Sequence, residues 1–237
     1  MNKLSIITTS FLIAMSMADI AHADNKWTGL YAGVNAGFAF NDAQLYSQHL
    51  GFTLPSATCN TSSNYSTPFS GAQVGYAYQF PNYMVTGVEA NVTFNANQTE
   101  KLGCHSPFTT TVYDHFEFRD QMQASIKGRI GRALNWNKNI LLPYLTAGAS
   151  FANLGLTYHN EVGDYYSTNT TEPGFLIGAG VEWAFMQHWS LRAEYYYIDY
   201  NTLKLSIPNV YGLIDPNGGA KVNLSSNNVA VAVNYWL

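Results

Sequence analysis

Eight stretches of this chain alternate apolar residues with small or polar ones at a period of two, and the connections between them run long, short, long, short to the end. The last stretch shows the pattern plainly. Val229, Val231, Val233, Tyr235 and Leu237 point one way, and Asn228, Ala230, Ala232, Asn234 and Trp236 point the other. A terminal strand with one wholly apolar face is a pairing hazard if left free. It is accommodated if it pairs with the first strand and closes a barrel, apolar face to lipid and small face to a filled interior.

The other stretches carry the same two faces. Leu30 to Phe40 has its even residues outward, as do Ser70 to Phe80, Met84 to Phe94 and Met122 to Ile130. Leu145 to Phe151, Phe175 to Phe185 and Leu191 to Tyr197 have their odd residues outward. The phase blurs between Asn153 and Tyr158, where a bulge is expected. Polar segments from about Asn41 to Thr67, Gln98 to Tyr113, His159 to Thr171 and Ser206 to Gly219 read as four long loops. Pro81-Asn82, Asn135 to Asn137 and Met186 to His188 read as short turns. Long extracellular loops alternating with short periplasmic turns are the layout of an all-β, eight-stranded, antiparallel, up-and-down transmembrane barrel.

Large aromatics crowd the short turns: Tyr78, Phe80 and Tyr83, then Trp136, then Trp183, Phe185 and Trp189, and at the chain end Tyr235 and Trp236. That is the expected aromatic belt at the periplasmic interface. A soluble lipocalin-like barrel would turn its apolar face inward. Here the small face carries Glu89, Lys127, Arg129, Glu182, Arg192 and Glu194, and no charge interrupts the apolar face at mid-strand, so the charged face is the enclosed one. Strands three and four are neighbours, as are six and seven, so Glu89 is expected to meet Lys127 or Arg129, and Glu182 to meet Arg192. Burying such charges unpaired costs several kcal/mol, which makes a paired, neutral plug the expectation.

The chain start fits export. Lys3, an apolar run from Leu4 to Ala18 and Ala21-His22-Ala23 before Asp24 predict a signal peptide over residues 1–23 and a barrel over residues 24–237. With a net charge of −4 there is no nucleic-acid footprint. Cys59 and Cys104 fall in the first two long segments, on one end of the barrel, and an even pair in an exported protein predicts a disulfide.

The run Trp27-Thr28-Gly29-Leu30-Tyr31-Ala32-Gly33-Val34-Asn35-Ala36-Gly37-Phe38 resembles the opening of small outer-membrane β-barrel proteins of the Omp25/Omp31 kind from Gram-negative bacteria. Gly174 to Tyr200 resembles a second segment of the same family. The resemblance implies a surface-exposed outer-membrane protein in contact with lipid and lipopolysaccharide. It also implies that the barrel-assembly machinery reads the last strand. Such barrels usually end in Phe and this one ends in Leu237, which shifts recognition toward Val233, Tyr235 and Trp236.

Chemistry is sparse. His49, His105, His115 and His159 read as loop or rim histidines and His188 as a turn residue, and no strand carries a His and a Ser on one face at two-residue spacing. No metal-ligand spacing and no phosphate loop appears, so neither cofactor nor catalysis is expected. The tyrosines of the long segments (Tyr46, Tyr65, Tyr113, Tyr165, Tyr166 and Tyr211) suit a binding surface. The expected role is structural and surface-interactive, in envelope integrity and contact with host molecules or other cells. A narrow small-solute pore is the first alternative and a lipid A-modifying enzyme the second.

Overall fold

The computed structural model describes residues 26–48, 59–96, 100–105, 112–136, 139–159, 165–205 and 219–237. The expected cleavage site at Ala21, Ala23 and Asp24 lies outside them. Ten strand segments follow one another as β1 (Gly29–Gln48), β2 (Cys59–Gln79), β3 (Met84–Asn95), β4 (Glu100–His105), β5 (Val112–Arg132), β6 (Leu134–Trp136), β7 (Asn139–His159), β8 (Tyr165–Ala184), β9 (Trp189–Leu205) and β10 (Gly219–Trp236). β4 prolongs the stave begun by β3, and β6 prolongs that of β5, so the ten segments make eight staves. Each stave pairs antiparallel with its neighbours, and β1 pairs with β10 from Tyr31↔Trp236 to Gln48↔Gly219, which closes the barrel.

Outward residues form an apolar belt of the kind only lipid tolerates: Val34, Phe38, Val88, Ile126, Phe175 and Val231 are each more than half exposed. Ile126 sits midway along the outward face of β5 and is 63% exposed. Ile126→Arg is expected to cost about 2–4 kcal/mol in lipid, as a charge at the belt's middle should. Urea unfolding of the barrel refolded in phospholipid vesicles checks this. A cost below 1 kcal/mol, on the order of a rim position, would place Ile126 outside the belt.

The strands are longer than the sequence pattern suggests. β1, β2, β7 and β8 run through much of what reads as loop, because serine, threonine, asparagine and tyrosine alternate there without an apolar face to mark a period. At about 3.4 Å per residue, each long strand rises well past a belt that needs about ten residues. Beyond the belt two seams lack described ladder pairs. The β2–β3 ladder ends at Phe69↔Asn95 and the β8–β9 ladder at Gly174↔Tyr200. One ribbon of β9, β10, β1 and β2 and another of β4, β5, β7 and β8 continue upward.

The bulge expected in β7 is not there; it stands on the partner strand. Between Asp120↔Leu154 and Met122↔Asn153, Gln121 is the extra residue in β5, while β7 keeps its alternation. The apparent blur in β7 has a different cause: Ala152 and Leu154 point inward, because the interior near the ribbons is apolar. Phe69, Leu176, Ile198 and Leu224 are buried at the same end. The interior is therefore not uniformly small and charged, as the sequence suggests.

Candidate functional site: the enclosed charge layer

The turn end of the barrel is sealed first. Trp27, Tyr31, Ala77, Val85, Ala133, Leu142, Tyr144 and Trp236 form one buried cluster. Trp27 meets Trp236 edge-on at 5.4 Å between ring centres, and Tyr31 lies tilted on Trp236 at 4.7 Å. The residues before β1 are fixed across this mouth. Lys26 donates to the carbonyls of Met186 and Gln187, and the Trp27 amide donates to Gln79 Oε1 at 3.3 Å.

Tyr83 belongs to this seal and not to the outer belt. The turn Phe80-Pro81-Asn82-Tyr83 closes with Tyr83 in the left-handed region at φ 65°, its amide donating to Phe80 O at 2.9 Å. That reversal turns its ring against the cluster. Tyr78, Phe80, Trp183, Phe185, Trp189 and Tyr235 do face outward as expected, with Tyr78 on Phe80, Trp183 on Phe185 and Trp189 on Tyr235.

Above the seal lie the six expected charges, all buried. Their pairing differs from the sequence expectation. Glu89 does meet its neighbour across the ladder, Lys127, at 3.3 Å. Glu182 pairs instead with Arg129 at 2.7 Å, although its ladder neighbour is Arg192. Arg192 reaches across the lumen to grip both oxygens of Glu89, at 2.5 and 3.1 Å, and lies 3.6 Å from Glu194. Lys127 also bonds Glu194. The reason is geometric: in a narrow closed barrel, long side chains from opposite walls meet on the axis, and a two-pronged guanidinium–carboxylate contact outcompetes a cross-strand one.

Uncharged residues complete the layer, and apart from Trp236, which was expected in the aromatic belt, the sequence reading did not single them out. Tyr31 donates its hydroxyl to Glu89 at 2.7 Å, and Tyr144 donates to Glu194 at 2.5 Å. Glu182 accepts from Ser190 at 2.5 Å and Asn234 at 2.8 Å, while Trp236 Nε1 donates to Ser190 at 3.0 Å. Gln73 donates to Asn234 at 2.5 Å and accepts from Asn35 at 2.8 Å. The Arg129 guanidinium lies 4.6 Å from the Tyr31 ring centre and 5.5 Å from that of Trp236. Inward parity on their strands was the one sequence signal for these partners. Each of the two tyrosines lies over a glycine. A Cβ on Gly75 would fall 2.3 Å from the Tyr31 hydroxyl, and one on Gly180 would fall 2.5 Å from that of Tyr144. Gly75→Val is therefore expected to displace Tyr31 from Glu89 and to cost about 1–3 kcal/mol. Urea unfolding should show that loss together with a changed Tyr31 environment by aromatic NMR. An unchanged stability would mean that Tyr31 does not hold its place against Gly75.

The layer offers carboxylates, guanidinium groups and amides that pair with one another, while Arg129 Nε and Nη2 and Asn35 Oδ1 are buried without a hydrogen-bond partner. Among the described residues no group of three His, Cys, Asp or Glu has metal-holding geometry. Ser190 is fully buried against Glu182, whereas His188 is exposed at its turn and bonds the Trp236 carbonyl at 2.9 Å, so the two do not form a nucleophile–base pair. In the final strand Val233, Tyr235 and Leu237 lie on the outward side and Trp236 inward. Cys59 opens β2 and Cys104 lies on β4, and their side chains are outside the described ones.

Comparison with known proteins gives one consistent answer. The family model described as outer membrane protein beta-barrel domain matches residues 7–235. The chain is 25% identical over 225 residues to the 31 kDa outer-membrane immunogenic protein of Brucella melitensis, covering 89% of this chain and 83% of that one. It is 25% identical over 175 residues to the 25 kDa outer-membrane immunogenic protein of Brucella ovis, covering 74% and 70%. Among solved structures, the outer membrane protein OprG from Pseudomonas aeruginosa superposes with a TM-score of 0.55 at 14% identity, over 90% of this chain and 100% of that one.

Proposed function

We propose, from the premise that this chain belongs to the outer membrane protein β-barrel family, that it is a non-catalytic surface protein whose barrel is a closed anchor. Its working part is the ribbon end. The tight turns and both termini face the periplasm, and the ribbons with the segments that join them face outward. The observation that supports this reading is the make-up of the interior: buried, mutually paired charges lie above a buried aromatic cluster. Meanwhile the four hairpins project past the belt. The relatives named as immunogenic are consistent with such exposure.

The partners follow from position. The belt meets lipid and lipopolysaccharide, the strand ending Val233, Tyr235, Trp236 and Leu237 meets the assembly machinery after a signal peptide is cleaved at Ala23, and the ribbons meet host or neighbouring cells. Cys59–Cys104 bridging would tie the first two hairpins. The test exchanges residues 49–58, 106–111, 160–164 and 206–218 for short glycine–serine links and measures attachment of expressing bacteria to host cells and to one another. Loss of attachment with an intact, heat-modifiable barrel is the expected result. Attachment unchanged by all four exchanges would sink the reading.

A further inference from the structure

The seam between β8 and β9 is opened by two local devices standing side by side. The last cross-strand pair is Gly174↔Tyr200. Immediately beyond it, β8 carries Pro173, which lacks an amide donor. β9 there carries a bulge: Leu203 pairs with Val222 and Tyr200 with Leu224, so Asn201 and Thr202 oppose Asn223 alone. A bulge bends its strand and sharpens the twist, which steers the top of β9 away from β8. β8 nevertheless continues as a regular strand back to Tyr165, paired with β7 along its whole length from Phe151↔Pro173 to His159↔Tyr165. Among the described residues its other edge has no ladder partner over that stretch. Phe175 is the last outward apolar residue of β8, so this edge rises above the lipid belt.

Natural sheet edges are guarded by lysines, prolines, bulges, inward charges or very short strands, and here Pro173 and Glu172 guard only the base of the edge. The edge Tyr165-Tyr166-Ser167-Thr168-Asn169-Thr170-Thr171-Glu172 has no lysine or arginine and consists largely of strand-favouring residues. Two acidic residues flank the base of the seam from both sides. Glu172 is on the inward-facing row of β8, where it accepts from Thr170 at 3.1 Å, and Asp199 is exposed on the outward-facing row of β9, opposite Phe175. A strand added here would alternate its side chains between those two faces and meet one carboxylate on each.

We infer that the open edge of β8 is a docking site for an extended, basic segment of another polypeptide, which adds to the ribbon as a further strand. Main-chain hydrogen bonds to β8 supply affinity, and Glu172 and Asp199 select lysine or arginine. The inference rests on the proposed role of the ribbons as a contact surface and names the chemistry of one contact.

The test uses the full mature barrel refolded in phosphatidylcholine vesicles, with peptide binding read by fluorescence anisotropy. Three labelled peptides of one length are compared: a strand-forming peptide with lysines on both faces, the same peptide with glutamates in their place, and the lysine peptide with two central residues changed to proline. The expected result is binding of the lysine peptide, weaker by at least about tenfold for the glutamate and proline versions. Glu172→Gln combined with Asp199→Asn should reduce lysine-peptide binding by a similar factor while leaving the barrel's heat-modifiability intact. Equal binding of the proline peptide would overturn strand addition, and indifference to the charge-neutralised barrel would overturn the selection. No binding of any peptide would overturn the site itself. Because the vesicle assay does not depend on cellular attachment, such a failure beside a positive hairpin-exchange experiment would refute this contact alone.

Discussion

Arg192→Ala should lower the unfolding free energy of the barrel by about 3–5 kcal/mol, the range for removing one partner of a buried ion pair. Arg192 holds both oxygens of Glu89 and stands beside Glu194. Without it, two buried carboxylates share the single ammonium of Lys127. The loss is chiefly the cost of stranded charge, which a second substitution exposes. Glu89→Gln on the Arg192→Ala background should recover part of the loss, giving a coupling energy of about 1–3 kcal/mol in a double-mutant cycle. Urea titrations in vesicles, followed by tryptophan fluorescence, measure all four corners. Additive losses would mean that Arg192 and Glu89 do not act on each other.

Trp236→Ala should be as damaging, at about 3–5 kcal/mol for a large buried aromatic. The Trp236 ring joins Trp27 and Tyr31 in the seal, and its indole N–H donates to Ser190, which in turn bonds Glu182. Tyr235, one residue earlier, faces the belt against Trp189 and His188. Tyr235→Ala keeps the seal and should cost less than half as much in the same refolded-barrel assay. Equal losses at the two positions would contradict the assignment of opposite faces. A selective effect of Tyr235→Ala on assembly in cells, with little effect on stability, would support its place in the recognition strand.

Period-two patterning made the belt, the closure of β1 on β10 and the six interior charges legible, because lipid and lumen impose opposite demands on alternate residues. Tyr83 escaped the pattern because a turn residue at positive φ obeys no strand parity. The ion-pair partners escaped it because adjacency along the sheet does not describe a cylinder only a few side chains wide, where Arg192 and Glu89 meet across the axis. The ribbons were hidden for another reason. Serine, threonine, asparagine and tyrosine alternate there without an apolar face, so Tyr165 to Thr171 reads as loop although the backbone pairs residue by residue with β7. Leu154 fell within the blurred stretch because the sequence argument expected small or polar residues on the lumen face, while the ribbon end of the lumen is itself apolar.

The most direct measurement is single-channel conductance of the refolded mature protein in a planar bilayer, with Glu89→Ala and Arg129→Ala run alongside. A barrel closed by paired charges over the Trp27–Trp236 seal predicts a silent wild type across the accessible voltage range. Reproducible steps from the wild type, altered in size by either substitution, would contradict the closed anchor and make the charge layer the selectivity element of a narrow pore.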